Sequence, residues 1–179
     1  MKKNVKSSFS IFYGAICFAL LTLFDQLTKQ LAVIRLRGQQ PVIIVRDVFE
    51  LYYLENRGAA FGILQGKRLI FILITVIVLA AILYVYVRLP FIRKYRAVRI
   101  CLILISAGAV GNFIDRVSQN YVVDFFYFVL IDFPVFNVAD IYVTCATVLL
   151  IIVLLFRFKD DDFTEMMQSL SFKKEEKKS

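Results

Sequence analysis

Hydrophobic residues run along this chain in long unbroken blocks, not in the alternating or half-polar patterns of a soluble domain. Four blocks, at 9–27, 69–87, 98–116 and 138–156, approach the roughly 20 apolar residues that a helix needs to cross a bilayer, and they predict four transmembrane helices. The first resembles a signal peptide in position only. No small-residue cleavage site follows it, and Asp25-Gln26-Leu27-Thr28-Lys29 reads as the continuing end of a helix, so it is expected to be a retained span. The stretches 28–68 and 117–137 are the long connections. Within the first, Pro41 to Asn56 alternates well enough for one or two short strands, with Asp47 at a turn. Residues 160–179 form a charged tail, read as disordered or as a surface helix. The pattern predicts an all-α polytopic membrane protein with a small β element in the first outer loop, and one membrane domain over residues 1–159.

Composition agrees with this reading: 60% of the 179 residues are hydrophobic, against about 45–50% in soluble domains. The net charge of +8 is a matter of placement. Lys2, Lys3 and Lys6 precede the first span. Arg88, Arg93, Lys94, Arg96 and Arg99 crowd the second connection, and Arg157, Lys159 and a Lys-rich tail follow the fourth span. These segments are expected on the cytoplasmic side, which puts both termini inside. The first outer loop strains the rule, because it holds Lys29, Arg35, Arg37, Arg46, Arg57, Lys67 and Arg68. The deciding contrast is between the basic 88–99 connection and the 117–137 loop, which has no Lys or Arg beyond its flanking Arg116. No basic patch is interleaved with aromatics in a polar domain, so nucleic acid is not an expected partner. The three cysteines lie in or beside apolar segments at no metal-ligand spacing. Histidine is absent, which excludes His-dependent triads, HExxH zinc sites and His proton shuttles within this chain.

Polar residues within spans are costly and are usually functional. Here they share one level, the outer helix ends: Asp25 on the first span, Asn56 and Arg57 before Gly58-Ala59-Ala60-Phe61-Gly62, Asn112, Asp115 and Arg116 on the third span, Asp124 in the loop, and Asn137 and Asp140 opening the fourth. Gly108, Asn112 and Asp115 fall at i, i+4, i+7 and line one face of a helix. Bland readings stand beside several of these. Asn137 and Asp140 have the spacing of an N-cap with an acidic third residue, which the helix dipole favours. Asp25 and Lys29 have the spacing of an i, i+4 ion pair. Asp132, before Phe133-Pro134, reads as a turn residue. Asp124 has no evident capping role. Asp124 and Asp140, brought together in a poorly solvated site, could share one proton and activate water as an aspartic-protease dyad does, needing no metal or cofactor. Paired acids also serve ion-coupled carriers, but a carrier is expected to place them near the bilayer midplane.

The segments FDQLTK (24–29), NRGAAFG (56–62), GNFIDRV (111–117), YVVDF (121–125) and FNVAD (136–140), in that order, resemble the bacterial lipoprotein signal peptidases, signal peptidase II. The resemblance implies a four-span aspartyl endopeptidase of the bacterial cytoplasmic membrane, with its site facing outward. Its partners would be membrane lipid and the signal peptides of prolipoproteins, cleaved immediately before a diacylglyceryl-modified cysteine. It implies Asp124 and Asp140 as the catalytic pair. Asn56, Gly108, Asn112, Arg116 and Asn137 would bind substrate or support the pair, with Arg57 beside them and Asp115 and Asp25 in structural support. Residues 42–54 would form a β-cradle, and 125–133 a flap over the site. A monomer suffices for this mechanism.

Overall fold

Each predicted apolar block folds as a helix: α1 Lys2–Leu36, α2 Arg68–Arg88, α3 Arg96–Gln119 and α4 Val138–Arg157. All four are long and apolar enough to cross a membrane. The computed structural model describes residues 2–58 and 68–171. Part of the expected small-residue approach to the second span, Ala59-Ala60-Phe61-Gly62, and the tail beyond Ser171 lie outside the described residues.

α1 does not end near residue 27. It runs to Leu36, because the polar turn that looked like a helix end is buried and internally neutralised: Lys29 is 3% exposed and sits 2.9 Å from Asp25. α3 is the central helix and buries Cys101, Leu102, Ala107, Gly108, Gly111 and Asp115, whereas α2 buries no residue. An outward-facing apolar helix of this kind is at home only where lipid is the solvent. Small residues set the close approach of α3 to its neighbours. A β-carbon on Gly108 would collide with the Ala139 carbonyl and Val143 of α4, and one on Gly111 would collide with the Asp25 carboxylate of α1.

A three-stranded antiparallel sheet covers one end of the bundle. β1 (Val42–Val45) and β2 (Phe49–Asn56) form the expected hairpin, with Asp47 at φ 58° in its turn. The third strand corrects the expectation that the β element belongs to the first outer loop alone. β3 (Val122–Tyr127) comes from the second and pairs with β2, Leu54 opposite Asp124 and Asn56 opposite Val122. It leaves α3 through Asn120, which takes the left-handed conformation at the helix end (φ 69°). It then returns toward α4 through a loop closed by the reciprocal Phe126–Phe136 backbone hydrogen bonds, 2.8 and 3.0 Å. Asp132 sits at the tip of that loop at φ 47° and accepts the Tyr127 hydroxyl, the turn role expected of it. Beneath the sheet, Ala32 and Leu36 of α1 pack with Val123, Phe125 and Val138.

At the opposite end, Leu89, Tyr95, Val98, Leu102 and Phe158 form a second apolar cluster. The first part of the charged tail is ordered over it as α5 (Asp160–Leu170), which inserts Phe163 and Met166. Asp162 caps its start by accepting the Lys159 amide at 3.0 Å and pairs with Lys94 at 2.6 Å. Arg88 donates to the carbonyls of Ser169 and Ser171 at its end. Asp162→Ala removes the cap and one arm of this pairing, so amide exchange in α5 is expected to rise severalfold. Hydrogen exchange on the purified protein tests this.

Candidate active site

The start of α4 organises the site. Asn137 is an N-cap in extended conformation (φ −130°); its Oδ1 accepts the Asp140 amide at 3.0 Å, and Asp140 Oδ2 accepts the Asn137 amide at 3.1 Å. The N-cap reading of these two residues therefore holds, and it does not exhaust them. With Oδ1 committed to the helix, Asn137 can turn only its Nδ2 hydrogens outward. They meet Asp124 Oδ1 at 2.6 Å, Asn112 Oδ1 at 3.1 Å and the Val123 carbonyl at 3.3 Å.

β3 delivers Asp124 to this point. Asn56 is paired with Val122, so its side chain lies diagonal to Asp124 on the same sheet face, and its Nδ2 donates to Asp124 Oδ2 at 2.8 Å. Asp124 is 1% exposed and Asn137 is fully buried. Burial, with the neighbouring charge of Asp140, pushes the Asp124 carboxyl up to about 7; the amides of Asn56 and Asn137 oppose the shift. Asp140, half-buried, takes its second hydrogen bond on Oδ1 from Asn112 Nδ2 at 2.8 Å. The two carboxyls thus converge around one asparagine, and both line a cavity of about 460 Å³. Asn56, Asn112 and Arg116 supply its polar wall. Phe133, Pro134 and Phe136 of the β3–α4 loop and Ile141 of α4 supply its apolar wall.

A second polar cluster backs the first. Asp25 Oδ1 accepts the Ala139 amide at 2.9 Å, which ties α1 to the first turn of α4. Asp115 Oδ2 accepts the Val123 amide at 3.1 Å, which ties α3 to β3. Lys29 lies between the two acids, 2.9 Å from Asp25 and 3.1 Å from Asp115, and donates to Asn112 Oδ1 at 2.8 Å. Gln26 bridges Asp25, Asp115 and the Gly111 carbonyl.

The structure therefore brings eight of the ten singled-out residues into one connected region at the sheet end. Six of them, Asn56, Asn112, Arg116, Asp124, Asn137 and Asp140, form or touch the cavity network. Asp25 and Asp115 hold the elements that carry it. The other two have different positions. Gly108 meets α4 backbone and cannot offer a side chain to a ligand. Arg57 is exposed, pairs with Glu55 at 3.0 Å and lies over the Tyr121 ring. Sequence reasoning passed over Lys29 and Gln26 as contributors, although the Asp25–Lys29 spacing was a visible signal for one of them.

Fold and site together define a multi-pass membrane protein with two carboxyls, one buried and one half-buried, held by asparagines at one end of its bundle. Residues 17–156 match the family described as Signal peptidase (SPase) II. A lipoprotein signal peptidase of Clostridium tetani is 40% identical over 155 residues, covering 84% of this chain and 95% of the relative. One of Streptococcus thermophilus is 44% identical over 142 residues, covering 78% and 92%. A solved bacterial membrane enzyme shares the fold with a TM-score of 0.71 at 33% identity, over 83% of this chain and 96% of that one. This chain belongs to the signal peptidase II family, a family of membrane peptidases.

Proposed function

We propose that the chain is an aspartyl endopeptidase that removes signal peptides from prolipoproteins, cutting before a diacylglyceryl-modified cysteine. The observation that carries this is the convergence of Asp124 and Asp140 on Asn137 beside an apolar cavity. Asp124, the more deeply buried carboxyl, keeps the shared proton and hydrogen-bonds the scissile carbonyl oxygen. Asp140 takes a proton from water as the oxygen adds to the carbonyl carbon. Collapse of the tetrahedral intermediate breaks the C–N bond, and the proton passes from Asp140 to the leaving amine. Asn56, Asn112 and Asn137 hold the two carboxyls in register, and Arg116 is the cation on the cavity wall. Neither metal nor cofactor is required.

The site faces the extracytoplasmic side, with both termini in the cytoplasm. Support comes from the basic 88–99 connection, set at the end of the bundle opposite the sheet. Lipid chains of the substrate lie along the apolar surface of the spans, and the Phe-rich β3–α4 loop covers the reacting bond. One copy of the chain suffices.

Purified protein is expected to cleave a diacylglyceryl-modified precursor and to leave the unlipidated precursor uncut; equal cleavage of both would refute the lipid requirement. The rate should fall as pH rises through about 7, because Asp124 then loses the proton that it must donate. Stability follows the same sign. Between 3.8 and about 7 the folded chain binds a proton that the unfolded chain has released, so this group's contribution declines across that window and levels off above it. A pH–rate profile paired with thermal melts at the same pH values checks both.

A further inference from the structure

We infer that Lys29 is a positioning residue for the carboxyl pair, acting through the orientation of the Asn112 amide. Its ammonium group has three hydrogens and no acceptor, and three acceptors surround it: Asp25 Oδ2, Asp115 Oδ2 and Asn112 Oδ1. A donor-only group at 2.8 Å obliges Asn112 to face it with its carbonyl oxygen, which leaves Asn112 Nδ2 for Asp140 Oδ1. The other end of the relay is fixed in the same way. The Asp140 amide claims Asn137 Oδ1, so Asn137 Nδ2 points at Asp124 and at Asn112 Oδ1. Lys29 and the first turn of α4 thus give every amide between them one permitted direction, and in that direction both carboxyls meet N–H groups.

Without Lys29, Asn112 Oδ1 keeps the longer hydrogen bond from Asn137 Nδ2 but loses its charged partner, so the flipped form, which turns a carbonyl oxygen onto Asp140, is less strongly opposed. The bland alternative is that Lys29 only neutralises Asp25 and Asp115, which would hold the helices together and leave the chemistry alone. The two roles differ in what they couple to. A neutralising lysine acts independently of Asn112, whereas a positioning lysine has nothing left to position once Asn112 is gone.

The inference rests on the dyad reading, and a double-mutant cycle separates them. Lys29→Met is expected to lower kcat on a lipidated precursor by roughly 10–100-fold, the scale of a small misplacement of a catalytic group, with KM changed by less than about threefold. In an Asn112→Ala background the same substitution should change kcat by less than about twofold. If Lys29→Met does not accumulate as folded protein, Asp25→Asn/Lys29→Met replaces it; this variant removes one acid together with the cation, and the carboxamide oxygen introduced at position 25 can still accept the Ala139 amide. Folded protein with normal kcat, or a full additional loss in the Asn112→Ala background, would overturn the inference and leave the dyad standing. Wild-type activity in Asp140→Asn would instead remove the dyad reading on which it depends.

Discussion

Asp140→Asn and Asp124→Asn are each expected to abolish cleavage of a lipidated precursor, by roughly 10³-fold or more, in protein that still inserts and folds. Each keeps the shape of the carboxyl and removes its ability to take or hold the shared proton. The two should differ in stability. Asp124 is 1% exposed, and among the described residues its carboxylate is hydrogen-bonded by the amides of Asn56 and Asn137 and by no cation. A neutral amide relieves the cost of a buried charge above pH 7 but turns an N–H group onto the Nδ2 of Asn56 or Asn137, so the two effects oppose and the Asp124→Asn melting temperature at pH 8 should lie near that of the parent. Asp140→Asn gains no such relief. Its amide either faces the Asn112 Nδ2 hydrogens or gives up the Asn137 backbone amide, so a loss of roughly 1–2 kcal/mol is expected. Asp132→Asn is the control. Among the described residues its side chain bonds Tyr127 alone, at an exposed loop tip, and near-parental activity is expected. Substantial cleavage by either dyad variant, or none by the control, would show that the wrong acids had been chosen.

The second large effect belongs to Asn137. Asn137→Ala removes the N-cap of α4 and the donor to Asp124 in one step, and it supplies no compensating polar group at a fully buried position. A stability loss of roughly 2–4 kcal/mol is expected, from the cap and from leaving Asp124 Oδ1 unsatisfied. A rate loss on the order of 10²-fold should accompany it. Asn137→Ser separates the two roles. A serine hydroxyl can cap the helix but cannot also reach Asp124, so much of the stability should return while the rate stays low. Recovery of both together would mean that the asparagine acts on the reaction only by starting the helix. Thermal melts in detergent and initial rates on a lipidated precursor distinguish the outcomes.

The four spans were legible because lipid imposes a length and a polarity that few other constraints can override. The β1–β2 hairpin was legible from alternation around Asp47. β3 was not: YVVDFFYF is apolar on both faces, since one packs on α1 and α4 and the other borders the cavity, so no period-2 signal survives. The site residues could be named from their common depth, because a polar group at a helix end must find partners there. Their division of labour could not. Gly108 and Asn112 share a helix face, yet one meets the α4 backbone and the other Asp140, a difference made by contacts across the bundle. The end of α1 could be read only as lying between residue 27 and Val33, short of Leu36, for a related reason. Lys29 looked like an interfacial charge until Asp115, distant in sequence, supplied its second counter-charge.

The double employment of Asn137 also bears on inhibition. A compound bonded to both carboxyls, with its apolar part in the cavity between Phe136 and Ile141, would rest on groups that the protein cannot easily exchange. Asp124 and Asp140 are required for turnover. Asn137 starts α4, Asn112 is held from behind by Lys29, and Gly111 leaves the room that Asp25 needs to reach Ala139. Escape from such a compound would therefore fall mainly to the cavity's apolar rim, at Phe133, Val135, Ile141 or Thr144, where size can change without breaking a hydrogen bond. Contacts concentrated on the polar floor, and few on that rim, would leave resistance the narrowest path.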